Sequence, residues 1–158
     1  MKKEALKRIF DFLEGKENKK HKDKDKFIWK LKFNETLTKE ELNVKGDLDL
    51  EFAKITSLPE GLEVGGSLDL NNSKITSLPK GLKVGRYLDL SYSEIKSLPE
   101  GLEVSGELNL TDTELTSLPK GLKVGGNLDT TYTPLAKYTY DELIEMIKPG
   151  FIKGEIYN

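Results

Sequence analysis

The sequence predicts a repeat solenoid built from short parallel strands, and three observations predict it. The first is self-similarity at a period of 20 residues. The skeleton Val-x-Gly-x-Leu-x-Leu that opens at Val44 returns at Val64, Val84, Val104 and Val124, with Arg86 and Thr130 as substitutions. The second is that apolar residues fall into columns, Leu48, Leu68, Leu88, Leu108, Leu128 and Leu58, Leu78, Leu98, Leu118. One such unit cannot bury its own apolar edge, whereas stacked units bury a continuous core. The third is that chain breakers recur at fixed places, Pro59, Pro79, Pro99, Pro119 and Gly61, Gly81, Gly101, Gly121.

The elements follow in order. Residues 2–14 place Ala5, Leu6, Ile9, Phe10 and Leu13 at helical spacing. Residues 15–26 form a charged connector. Phe27, Trp29, Leu31 and Phe33 alternate with Ile28, Lys30 and Lys32 and read as a strand. Thr38 to Glu41 carries the capping-box pattern and leads Leu42 and Val44 into the first coil. Residues 1–42 are thus expected to hold a helix, a connector and a capping strand. Residues 43–138 make a solenoid of about five coils.

Within a coil, Leu48-Asp49-Leu50 alternates with period two, so each coil contributes one strand with its leucines inward. The prolines lack an N–H and cannot sit in a central ladder, which places the Leu-Pro-x-Gly-Leu segment on the opposite wall in a turn. Gly61 and its copies are candidates for positive φ. Arg86 stands where other coils have Gly46, Gly66, Gly106 or Gly126, so that corner does not demand it. Residues 139–158 close the chain: Thr139 to Glu142 is a second capping box, opening a helix through about Ile147 that Pro149-Gly150 stops. Gly154-Glu155-Ile156 repeats the strand opening as a last rung.

The 158 residues suit one domain with appendages and exclude large multi-domain machinery. Cysteine is absent, which removes disulfides, thiolate zinc sites and cysteine nucleophiles together. The single histidine, His21, lies in a lysine-rich run that reads as a solvated linker. Nothing assembles a nucleophile, a base and an oxyanion donor, so no enzyme, cofactor or metal site is expected. No apolar run approaches the ~20 residues needed to span a bilayer, and the charged N-terminus forms no signal-peptide core. A soluble, cytoplasmic protein is expected.

The net charge of −2 conceals an asymmetry. Residues 1–33 carry 12 basic and 6 acidic groups, while residues 34–158 carry 13 basic and 21 acidic ones. The outward strand positions concentrate the acidic excess. Of the fifteen at 47, 49 and 51 and their copies through 131, seven are acidic and none is basic. The candidate partner-binding residues are Asp47, Asp49, Glu51, Asp69, Asp89, Glu107, Asn109 and Asp129. Tyr87 on the strand face, with Tyr92 and Tyr132 just past it, are candidate aromatic anchors, and Phe52 at the same loop position is expected to be covered from the N-terminal side. On the opposite wall Glu60 and Glu63 meet Lys80 and Lys83, then Glu100 and Glu103, then Lys120 and Lys123. That alternation reads as scaffold that favours correct register.

These residues resemble leucine-rich repeats, most closely the short 20-residue class with a Leu-Pro element found in bacterial effectors and small phage-encoded repeat proteins. The resemblance covers about residues 42–138. It implies a leucine-rich-repeat-like parallel solenoid that binds proteins through its strand face and adjoining loops. Where the family usually has asparagine, this chain has Ala53, Ser73, Ser93, Thr113 and Thr133, and a hydroxyl ladder is expected to take its place.

The expected function is a non-enzymatic module whose acidic strand face captures a basic surface on another protein. The resemblance extends that expectation to a phage-encoded, anti-CRISPR-like inhibitor of a bacterial defence nuclease. Two alternatives stand beside it. One is an intracellular scaffold or effector that binds a protein through loops and caps. The other is a nucleic-acid binder using the basic residues 16–32, whose field Glu17, Asp23 and Asp25 dilute.

Overall fold

The computed structural model describes residues 27–31 and 35–158. They belong to two compact units, divided between Thr38 and Lys39. In the first unit residues 27–31 are helical, not the strand that alternation suggests. The reason lies in Ile28: an apolar residue at an even position breaks the alternation, and Phe27, Ile28 and Leu31 share a helical stripe instead. Phe27 is buried, and the Glu35 N–H donates to the Lys30 carbonyl just after the helix. The helix expected at 2–14 and the connector at 15–26 lie outside the described residues, as do the basic positions up to Lys26.

The second unit is a parallel β-solenoid. After a turn at residues 39–42, the chain order is β1 (Asn43–Val44), β2 (Leu48–Asp49), β3 (Glu63–Val64), β4 (Leu68–Asp69), β5 (Lys83–Val84) and β6 (Leu88–Asp89). It continues through β7 (Glu103–Val104), β8 (Leu108–Asn109), β9 (Lys123–Val124) and β10 (Leu128–Asp129). A 3₁₀ turn at Pro134–Lys137, helix α1 (Tyr140–Ile147), β11 (Phe151–Ile152) and β12 (Ile156–Tyr157) complete it. The odd strands form one six-stranded parallel sheet and the even strands another. Register advances by 20 residues at each step, Leu48 to Leu68 to Leu88 to Leu108 to Leu128, and by 28 at the last, where Leu128 pairs Ile156.

Each coil therefore carries two strands, not one. The second is the Leu62-Glu63-Val64 segment and its copies. It also alternates inward, outward, inward, with Leu62 and Val64 buried, but it is cut short by the corner at Gly65-Gly66. Stacking in register converts any extended segment into a rung, because its copy lies one strand spacing away. The Pro-x-Gly turn feeds this strand. Gly61, Gly81, Gly101 and Gly121 all have positive φ, between 69° and 77°, and the N–H of Leu82 closes the turn on the Pro79 carbonyl. Gly66, Gly106 and Gly126 are not in that region, as Arg86 in their place requires. At the preceding position a Cβ on Gly85 would sit 2.2 Å from the Gly65 carbonyl oxygen, whereas Ser105 occupies the same place one coil on.

The core is the set of inward columns. Leu68, Leu88, Leu108 and Leu128 are fully shielded, and so are Leu70, Leu90 and Leu110. A leucine taken wholly out of water contributes about 1.5–3 kcal/mol, repeated at every coil. The hydroxyls of the 53 column do not form a ladder between coils. Ser93, Thr113 and Thr133 each donate to a carbonyl three residues back in their own coil, Leu90, Leu110 and Thr130. The short side chain reaches its own turn, whereas a longer amide would span to the next coil. The Ser73 Oγ is buried without a partner.

In α1 the Thr139 hydroxyl accepts the Glu142 N–H while the Glu142 carboxylate accepts the Thr139 N–H, the reciprocal box read from the sequence. Leu143 and Ile147 are buried, and the Ile147 carbonyl accepts the Gly121 N–H. Between the odd strands, Lys83 pairs Glu63 and Lys123 pairs Glu103. Hydrogen bonding to Lys123 lowers the Glu103 pKa. Among the described residues no helix is long and apolar enough to cross a membrane.

Leu88→Ala removes the central member of a fully buried column, and the predicted cost is about 2–5 kcal/mol. Urea melts followed by circular dichroism measure it; a loss below about 0.5 kcal/mol is incompatible with this register.

Candidate partner-binding surface

The even-numbered sheet presents Asp49, Asp69, Asp89, Asn109 and Asp129 outward in one column, held by the pairs Asp49–Asp69, Asp69–Asp89, Asp89–Asn109 and Asp129–Asn109. Neighbours are one strand spacing apart, about 4.8 Å. Asp49 is exposed and the others are half-buried.

A local reason for this column emerges from the backbone. Leu48 and Leu50 donate to the Ser67 and Asp69 carbonyls. Continued one step, that parallel register sends the Asn71 N–H to the Leu50 carbonyl. That carbonyl instead accepts the Ala53 N–H, closing the turn. The Asn71 N–H goes to the Asp69 carboxylate at 2.9 Å. The same latch recurs in every coil: Glu51 on Asp49, Ser91 on Asp89, Thr111 on Asn109, Thr131 on Asp129. A short side chain with an oxygen on Cγ, two residues before the orphan N–H, is the geometry that asparagine and aspartate share.

Magnitudes decide what the column does for the fold. Two carboxylates at this separation repel by about 1 kcal/mol in water and about 3 kcal/mol at the effective dielectric of a protein surface, while a hydrogen bond to a charged acceptor contributes about 1.5–3 kcal/mol. The latch offsets the repulsion of these half-buried carboxylates without leaving a surplus. Asn109 shows, however, that the latch needs only the oxygen and not the charge. Four carboxylates in five positions exceed what the fold requires.

A polar network joins the central coils. The Tyr87 hydroxyl donates to Asp89 at 2.9 Å and accepts from the Asn109 amide at 3.1 Å. The Ser91 hydroxyl donates to Asp89 and accepts from the Asn71 amide. Burial of its hydroxyl, ahead of the nearby Asp89 and Glu107 charges, holds the Tyr87 phenol well above its ordinary range. Tyr87 thus takes part in the sheet's own bonding. Asn71 and Ser91 were missed as members of this network; the recurrent Asp-x-Asn, Asp-x-Ser and Asp-x-Thr spacing was the signal that could have found them.

The remaining candidates divide between two places. Asp47 and Glu51 are exposed at the start and end of the first rung, and the Asp47 carboxylate accepts the Ser67 N–H at 2.7 Å. Glu107 is half-buried in Tyr87's own column, one coil on. Tyr92 and Tyr132 are not on the sheet. They occupy the turn beyond it, in a row with Phe52, Asn72 and Asp112, and all five have positive φ, between 52° and 58°. Phe52, expected to be covered, is exposed. A bulky aromatic in this left-handed region is an outlier that costs of order 1 kcal/mol or more.

Among the described residues no group of three acidic or histidine side chains is arranged to hold a metal ion. The chain matches no protein-family model, no curated protein and no solved structure.

Three outcomes are predicted. Asp89→Ala lowers stability by about 1–3 kcal/mol because the Ser91 N–H loses its acceptor, whereas Asp89→Asn leaves stability unchanged or slightly higher; paired urea melts compare them. Tyr132→Asn raises stability by about 1 kcal/mol by relieving the left-handed aromatic, read in the same way. Because the folded Tyr87 phenol titrates above the unfolded one, its contribution is complete below about pH 10 and is lost as pH rises further. Alkaline melts of wild type and Tyr87→Phe then converge more closely than their neutral-pH melts.

Proposed function

We propose that the chain is a non-enzymatic protein-binding module whose even-numbered sheet takes a basic surface of another protein. The observation that supports this reading is the surplus of charge on one sheet only. On the odd-numbered sheet, outward charges alternate in sign and pair between coils, Glu63 with Lys83 and Glu103 with Lys123. On the even-numbered sheet the outward column carries four aspartates, and an asparagine serves the fold equally well. Like charges stack on this sheet where the odd-numbered sheet stacks opposite ones, and a field of one sign suits a partner of the other.

The resemblance to short leucine-rich repeats of bacterial effectors and phage proteins extends the proposal. In that form the protein is a phage-encoded inhibitor in the bacterial cytoplasm that occupies a nuclease's basic groove, with the acidic column standing in for phosphates. A basic groove built for nucleic acid is the partner surface to which a row of carboxylates is complementary.

Asparagine at Asp69, Asp89 and Asp129 keeps their latches and removes three charges, so it separates binding from folding. Bait of the wild type and of this variant is exposed to bacterial lysate, and retained proteins are identified by mass spectrometry. The expected result is a basic protein held by the wild type, lost by the variant, and released as salt rises from about 0.05 to 0.5 M, where screening shortens from roughly 14 Å to 4 Å. Equal retention by both baits eliminates the acidic sheet as the binding surface.

A further inference from the structure

The row beyond the acidic sheet is not explained by the fold. Its members are locked in register, since Phe52 donates to the Asn71 carbonyl, Asn72 to Ser91, Tyr92 to Thr111 and Asp112 to Thr131. Adjacent members are therefore one strand spacing apart, and the three aromatic side chains recur every second coil, about 9.6 Å apart. Phe52, Tyr92 and Tyr132 are 64%, 53% and 84% exposed, so burial does not compensate for their left-handed backbone. Asn72 and Asp112 occupy the same conformation in the intervening coils, and both are residue types that tolerate it. The turn accepts a polar residue, yet three coils carry an aromatic.

The spacing selects the ligand's conformation. A polyproline II helix has three residues per turn and rises about 3.1 Å per residue, so every third residue returns to one face after about 9.3 Å. An extended strand repeats its face after about 6.8 Å and falls out of step by the second ring. Proline rings on aromatic side chains are an established mode of peptide recognition, and the helix is already ordered before it binds. Its amides and carbonyls make no internal hydrogen bonds, and Asn72 and Asp112 stand between the aromatic positions to meet them.

Charge selects the rest. On one flank the aspartate column lies just beyond Glu51, Asn71, Ser91, Thr111 and Thr131. On the other flank Lys54 and Lys74 lie beside Phe52, Lys74 paired with Glu94, and Glu114 is exposed beside the Tyr92–Tyr132 half, so the acidic end of the row is the Tyr92–Tyr132 end. Residues between the prolines point to these flanks. We infer that the row Phe52, Tyr92, Tyr132 docks a proline-rich, arginine-bearing segment of the partner in the polyproline II conformation. The inference rests on the acidic-sheet proposal and specifies what part of a basic partner engages the turn row.

The test uses the full chain and a fluorescein-labelled peptide of four Pro-Pro-Arg triplets, with anisotropy read at about 0.15 M salt. A peptide of four Ala-Ala-Arg triplets matches its charge and length, and a β-1,4-linked glucose hexamer offers a neutral, extended ligand of different chemistry. The proline peptide is expected to bind about tenfold more tightly than the alanine peptide, a ratio worth 1.4 kcal/mol. Tyr92→Asn with Tyr132→Asn abolishes that preference while its urea midpoint stays at or above the wild-type value, because asparagine is the residue of the neighbouring coil. Asp69→Asn with Asp89→Asn weakens both peptides alike.

Equal affinity for the two peptides, no binding of either, a preference that survives the tyrosine substitutions, or binding of the glucose hexamer in their place each overturns the inference. The two readings fail separately. If the peptides bind equally and the aspartate variant weakens both, the turn row is wrong and the acidic sheet stands. If the proline preference persists and the aspartate variant changes nothing, the acidic sheet is wrong and the row stands.

Discussion

Everything in the solenoid depends on one constraint: on the even-numbered sheet the backbone N–H of one coil meets the carbonyl of the next 19 residues on, which sets the pairing register at 20. Leu48 donates to Ser67, Leu68 to Tyr87, Leu88 to Glu107 and Leu108 to Asn127. Because the register holds at 20 residues until the last rung, each repeat side chain is stacked on its own copy about 4.8 Å away. For leucine this is favourable, since identical shapes pack into a continuous column. For charged residues it is a problem, because a tolerated carboxylate is copied next to itself. Repetition therefore forces the surface to resolve like-charge stacking that an irregular fold never meets.

The two sheets resolve it in opposite ways. The odd-numbered sheet inverts the sign at alternate coils, so that the stacking becomes Glu63 on Lys83 and Glu103 on Lys123. Exposed pairs of this kind contribute only ~0–1 kcal/mol each, but they penalise a register slipped by one coil. The even-numbered sheet keeps the sign and gives each carboxylate a backbone N–H to accept. The latch exists because the strand ends in a turn that takes the Leu50 carbonyl away from the ladder. A structural duty and a surface charge thus share one side chain, and only Asn109 separates them, by performing the first without the second.

The turn that creates the latch also creates the strained row. Its third residue needs a positive φ, for which glycine or asparagine is the low-energy choice, and the fold accepts Asn72 and Asp112 there. Aromatic residues in the other three coils are paid for by neither packing nor hydrogen bonding within their own turn. Strain maintained at regular intervals along an exposed ridge, beside a sheet with surplus charge, distinguishes this side of the molecule from the charge-paired side.

The sequence by itself determined the repeat length, the register, the inward leucine columns, the positive φ of the Pro-x-Gly turns, the α1 capping box and the last rung at Ile156–Tyr157. All of these are local patterns or strict periodicities, and periodicity survives folding unchanged. It also located the aspartate column. It did not disclose the second strand of each coil, because two residues beside a glycine corner carry too little alternation to read. It misread residues 27–31, where Ile28 fits a helical stripe as readily as a strand. Only the tertiary structure decided that the Ser93, Thr113 and Thr133 hydroxyls bond within their own coil, that Tyr87 is tied to Asp89 and Asn109, and that each aspartate latches a backbone N–H. Those outcomes turn on which carbonyl is left free when coils stack and turn, and a carbonyl's direction is a property of the assembled backbone that residue identity alone does not encode.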